Sequence, residues 1–203
     1  MNGSSADLDR FQDWGLDAAR WAKHAQFLKR SADLMWAPID RAYDSLSDSV
    51  ESNQAFEAGA FEDLKHSYGY LLLVGAAVEA MLKAAAIQRV LNTDGRRSLL
   101  SEDGHRLQRW LTNHKLRDLS QRAGLTALSA DEVQHLERLE EYIVWAGRYP
   151  ARKEFVEPEA ESRMIYESSS WDHDRFGRLF EAAQASRRTR CCSIVWPAKT
   201  MRT

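Results

Sequence analysis

From Ile39 to Tyr149 this 203-residue chain contains no proline; its four prolines are Pro38, Pro150, Pro158 and Pro197. Over that stretch nothing fixes φ or removes a backbone donor, so long helices can run uninterrupted. Alanine, leucine, glutamate and arginine dominate. These side chains lose little rotamer freedom in a helix, and the two-residue alternation of a half-buried strand is nearly missing. The expected fold is all-α: an up-and-down helical bundle of four to five main helices.

The apolar spacing divides the chain. Trp14, Leu16, Trp21, Ala25, Leu28, Ala32 and Met35 recur at helical intervals, which predicts a helix over about Leu16 to Trp36. Pro38 should break or kink it, or open a second short helix over Ile39 to Val50. A central helix is expected over about Ala55 to Leu91, with Leu64, Leu71, Val74, Val78, Met81, Leu82 and Ala85 on its buried face. It is apolar on most sides around Tyr70–Val78, so it should lie mid-domain. Asn92–Arg97 carries a turn signal. The stretch from Thr93 to Asn113 reads as a loop with room for one short helix. His114–Leu125 is amphipathic through Leu116, Leu119 and Ala123, and Gly124 suits a C-cap. Ser129 and Glu132 form a capping box for a helix carrying Val133, Leu136, Leu139, Ile143 and Val144. That helix ends at Arg148-Tyr149-Pro150. A polar linker or lid follows, and Trp171, Phe176, Leu179 and Phe180 support a last helix to about Ser186.

Residues 1–60 are therefore expected to pack on a core of residues 61–186, followed by a basic tail, 187–203. The tail holds Arg187, Arg188, Arg190, Lys199 and Arg202 and no acid, although the formal net charge is −2. The whole molecule is not a polycation built for nucleic acid. The two cysteines, Cys191 and Cys192, are adjacent, so they provide neither a disulfide framework nor zinc spacing. No metal or cofactor is expected, and a reducing cytoplasm fits. The start lacks a basic n-region and an apolar h-region, and the apolar run Tyr70–Val78 is far short of a membrane span.

Four short motifs occur in order: Val78–Ile87, VEAMLKAAAI; His114–Leu119, HKLRDL; Arg122–Leu125, RAGL; and Tyr142–Pro150, YIVWAGRYP. Over roughly Phe61 to Pro150 the chain resembles the HEPN-like helical superfamily. Its members share an acidic-x-x-x-Lys central helix, a His-x-Leu helix start and an Arg-Tyr-Pro helix end. The resemblance implies a helical bundle, usually a homodimer, in prokaryotic toxin–antitoxin or phage-defence systems, with RNA or a cognate antitoxin as partner. Active relatives are metal-independent endoribonucleases with an Arg-x(4–6)-His motif. In that chemistry a His shuttles the 2′-hydroxyl proton and an Arg stabilises charge on the phosphate.

Arg109 and His114 match that spacing and are the candidate catalytic pair. The late helix instead ends in Arg148 with no histidine close behind, so the leading expectation is a non-catalytic interaction or nucleic-acid-associated module. There Arg148, Arg152 and Lys153 would hold RNA or another anion. A cation in the last helical turn before a proline is also explained by the helix dipole alone. Glu79 and Lys83 should pair on one helix face, and would need further partners if buried. Trp36, Trp110, Trp145 and Trp171 read as core or dimer-interface anchors. A third expectation is a helical protein-binding domain without RNA contact, which should expose an apolar patch.

Overall fold

The computed structural model describes residues 12–52, 59, 63–64, 66–101, 107–146 and 170–188, with backbone only for 145–146 and 170–172. The fold is an all-α bundle. Its helices are α1 (Ala18–Ser52), α2 (Ser67–Thr93), a 3-10 turn (Arg96–Leu99), the short α3 (Arg109–Thr112), α4 (Leu116–Ala123), α5 (Ala130–Glu141) and α6 (Ser170–Arg188). The only extended pairing among the described residues is an isolated antiparallel bridge between Leu100 and Leu107.

α2 is the axis. It packs against α1, α4, α5, α6 and the turn that follows α5. Its sequence explains this, since a helix apolar on all sides must be surrounded. Tyr70, Leu71, Val74, Val78, Met81, Leu82 and Ile87 are all buried, as is Leu64 just ahead of the helix. Each fully buried Leu, Ile or Met contributes roughly 1.5–3 kcal/mol. α2 is also the one helix among the described residues long and apolar enough to cross a membrane, but 83% of its apolar window is buried inside the bundle. Gly75 lets α5 approach closely. A Cβ there would lie 2.7 Å from Ile143 Cγ1 and 3.3 Å from the Leu139 carbonyl oxygen.

Local signals set the ends of the helices. Asp17 Oδ1 accepts the amides of Ala19 (2.9 Å) and Arg20 (3.1 Å) at the start of α1. α4 ends at Gly124 with φ 92°; the Gly124 amide donates to Gln121 O (3.0 Å) and the Leu125 amide to Ser120 O (2.9 Å). That is the paired bonding of a Schellman cap. Ser129 and Glu132 form the expected capping box on α5. After Glu141 the helix widens into a π turn, Tyr142–Ala146. Tyr142 is buried there, and burial pushes its phenol up to about 12.

Several expectations need correction. Pro38 neither ends the first helix nor opens a second: Ala18–Ser52 is one helix with Pro38 inside it. The hydrogen bond that Pro38 cannot make would go to the carbonyl of Leu34, a residue that is 82% exposed. Water can therefore satisfy that carbonyl on the outer side of α1. Trp14 is 61% exposed and lies outside the core, its turn burying Gln12 and Leu16 instead, while Trp36 and Trp110 are buried. Val144 is 48% exposed, since one step past the inward-facing Ile143 turns it off the buried face. Of the expected central helix, residues 55–58, 60–62 and 65 lie outside the described residues, and the continuous helix runs from Ser67. So do Arg148, Pro150, Arg152, Lys153, Cys191, Cys192 and the side chains of Trp145 and Trp171.

Candidate functional site

Glu79 and Lys83 lie one helical turn apart on α2, in the interior, and are 7% and 3% exposed. Lys83 Nζ donates to Glu79 Oε1 at 2.5 Å. Two charges in the core need more than each other, because desolvation costs several kcal/mol per ion. The second carboxylate oxygen is taken by His114, whose Nδ1 lies 2.9 Å from Glu79 Oε2. Since a carboxylate accepts, Nδ1 carries the proton. The lysine ammonium in turn lies 5.2 Å from the centre of the Trp21 ring on α1. A cation over an indole face is favourable and stronger when desolvated. The Trp21 ring is fixed by its own Nε1–H, which donates to Gly15 O at 2.9 Å.

His114 reaches this pair because α3 ends at Thr112 and Asn113 is extended (φ −91°, ψ 171°). The chain then turns into α4 with no side-chain cap of its own. The missing cap comes from α5. Glu140 Oε2 accepts the Leu116 amide at 3.0 Å, and Glu140 Oε1 pairs with Lys115 Nζ at 3.0 Å. A carboxylate at a helix start also meets the favourable end of the dipole. The Glu140 hydrogen bond raises the Lys115 pKa above its usual value. The segment His114-Lys115-Leu116 is thus held between two carboxylates, Glu79 below and Glu140 beside it, while the Leu116 side chain is wholly buried.

Of the candidate catalytic pair, His114 is in this cluster, with its side chain 35% exposed. Arg109 opens α3 and is exposed. No hydrogen bond joins the two side chains. The structure brings His114 to Glu79 and Lys83, the acidic-x-x-x-Lys pair, so two of the sequence motifs meet in space. The trio's spacing of 35 residues between Glu79 and His114 gave no local sign of this contact.

A second polar group went unnoticed in the sequence. His173 on α6 stacks on Trp36 of α1 (centroids 4.8 Å apart, planes 6°), and its Nδ1 lies 2.6 Å from the hydroxyl of Tyr70 on α2. Burial pushes the His173 pKa down, and Asp33 opposes that shift. Beside it an open groove of about 510 Å³ is lined by Lys29, His173, Asp174, Gly177, Arg178 and Glu181. The one available signal was the position of His173 on the same face as Phe176 and Phe180. Elsewhere His135 Nδ1 donates to Asp131 O at 2.7 Å and Arg175 Nη1 approaches His135 Nε2 at 3.5 Å, tying α5 to α6. Among the described residues no group of three or more His, Cys, Asp or Glu side chains is placed to hold a metal ion.

No protein-family model matches the chain, and no curated protein or solved structure matches it.

Proposed function

We propose that this chain is a HEPN-like module that acts by binding: an interaction or nucleic-acid-associated domain in a prokaryotic defence or toxin–antitoxin setting. The observation that carries the proposal is the engagement of His114 by the buried Glu79–Lys83 pair. Each member of the trio has a structural task. The carboxylate neutralises the lysine, the imidazole satisfies the carboxylate, and together they fix the start of α4 against α2. Arg109, which a phosphate-cleaving site would need on the same anion, makes no bond to His114. Arg148, Arg152 and Lys153 are the anion-binding residues of this reading. A homodimer, an RNA or antitoxin partner and a cytoplasmic location come from the resemblance.

One observation favours a second reading, a metal-independent endoribonuclease using Arg109 and His114. An imidazole oriented through Nδ1 by a carboxylate, and part exposed, keeps Nε2 as its basic nitrogen. The deciding experiment is RNA cleavage by the purified protein in chelator, with Arg109→Ala and His114→Ala alongside. The binding-module reading predicts no cleavage by protein shown to be folded. Cleavage by the parent that is lost in both variants would replace it with the ribonuclease reading.

A further inference from the structure

α1 buries Ala22, Ala25, Ala32, Trp36 and Ile39 on one side. The opposite side carries Arg20, Lys23, Phe27, Arg30, Leu34 and Arg41, all exposed. At 100° per residue these six fall within an arc of about 80° and span about 32 Å. Phe27 and Leu34 are 63% and 82% exposed, the two largest apolar exposures on this face. Of the acids further along α1, Asp33, Asp40 and Asp44 lie outside the arc, and Asp48 falls on its edge seven residues beyond Arg41.

Three of the four cations there lack a carboxylate partner among the described residues: none pairs with Lys23, Arg30 or Arg41, and Arg30 Nε donates only to its own helix, to Gln26 O at 3.3 Å. Arg20 alone is paired, with Asp17 at 3.0 Å, and it lies 4.4 Å from the centre of the exposed Trp14 ring. In a chain with formal net charge −2, the face from Arg20 to Arg41 is a positive stripe, bounded at its C-terminal end by the exposed Asp44 and Asp48. Charge complementarity therefore calls for an anionic partner.

The pattern also indicates the partner's shape. Lys23, Phe27, Arg30, Leu34, Ala37 and Arg41 follow one another at alternating steps of four and three, the spacing of a heptad seam. A seam of this kind takes another helix along its length, with Phe27 and Leu34 as anchors one heptad apart. A second copy of this chain fits less well, since a two-fold interface centred on Phe27 and Leu34 would set Arg20 against Arg41 and Arg30 against its own copy. Single-stranded RNA also fits less well: a convex helix offers no groove, and its most exposed apolar side chain, Leu34, has no ring to stack on a base.

We propose that the outer face of α1 docks an acidic amphipathic helix of a protein partner. Its apolar residues would cover Phe27 and Leu34, and its carboxylates would meet Lys23, Arg30 and Arg41. This rests on the reading of the chain as a binding module; the cleavage assay tests that reading, and the following experiment tests the surface alone. The probe is a labelled synthetic peptide of four heptads with leucine at one seam position and glutamate at the other and at the flanks. Binding to the full chain is followed by fluorescence anisotropy at low and high salt. A lysine-for-glutamate peptide, oligouridylate and vesicles of phosphatidylglycerol serve as competitors. The expected result is binding of the acidic peptide, weakened by salt, and weakened about tenfold or more by Phe27→Ala with Leu34→Ala and by Arg30→Glu. These positions are exposed, so circular dichroism of the variants should match the parent. No binding of the acidic peptide, equal binding of the basic one, indifference to the substitutions, or binding of RNA or vesicles in its place would overturn the proposal.

Discussion

Replacing Glu79 with Gln tests the buried trio most severely. The change keeps the side chain's shape and leaves an acceptor for His114, but it removes the only negative charge bonded to Lys83 among the described residues. Lys83 is 3% exposed and cannot reach water without disturbing α2. Breaking a buried ion pair by neutralising one partner costs about 3–5 kcal/mol, because the other charge stays buried and uncompensated. Removing both charges is different: a well-packed apolar pair of similar volume is often neutral. Glu79→Leu with Lys83→Met should therefore lie much closer to the parent than Glu79→Gln alone. For a chain of this size 1 kcal/mol moves the midpoint by about 2–4 °C, so Glu79→Gln should lower Tm by about 6 °C or more. Urea and thermal unfolding followed by circular dichroism give both values. A loss below about 1 kcal/mol for Glu79→Gln, or a double variant no better than the single one, would refute this account of the core.

His114→Ala should cost less, about 1–2 kcal/mol in urea unfolding, because one charge-assisted bond is lost at a site that is 35% exposed. Gly75→Val should destabilise by at least about 2 kcal/mol in the same assay, since its side chain would be driven into Ile143 and the Leu139 carbonyl, already at 2.7 Å and 3.3 Å from a bare Cβ. Pro38→Ala should raise Tm, by the equivalent of about 1–3 kcal/mol, as the helix regains its bond to Leu34 O and loses only the part-buried ring of Pro38. The His173 pKa is depressed by burial, so the unfolded chain binds this proton more readily. The stability due to neutral His173 is fully present above the unfolded value of about 6.5 and is lost as pH falls through the lower folded value. Unfolding of the parent and of His173→Gln across that window should show the difference between them shrinking with acidity.

Where one short stretch contained the whole cause, the sequence was enough to read the structure. The Ser129–Glu132 box, the Gly124 cap and the turn after Thr93 are local and stand where expected. The depth of α2 was also legible, because its apolar surface leaves no side for water. Glu79 and Lys83 could be paired from their spacing, but their burial depended on α1 and α4 closing over them. The bond to His114, the Glu140 carboxylate at the start of α4 and the stack of His173 on Trp36 each join distant segments, and no periodicity encodes them. Pro38 misled because the cost of a helical proline depends on where its orphaned carbonyl points. Here it belongs to Leu34, on the exposed side of α1. The all-α class was readable from composition, whereas the partner of each polar side chain was not.

The account's central claim is that His114 is held by Glu79 as part of the bundle. Long-range proton–nitrogen NMR of the histidine side chains measures this directly. The prediction is a protonated Nδ1 on His114, slow to exchange, altered by Glu79→Gln and unmoved when a cleavage-resistant RNA oligonucleotide is added. A proton on Nε2 alone, or His114 resonances that shift with RNA, would contradict the claim and place the imidazole at a working phosphate site.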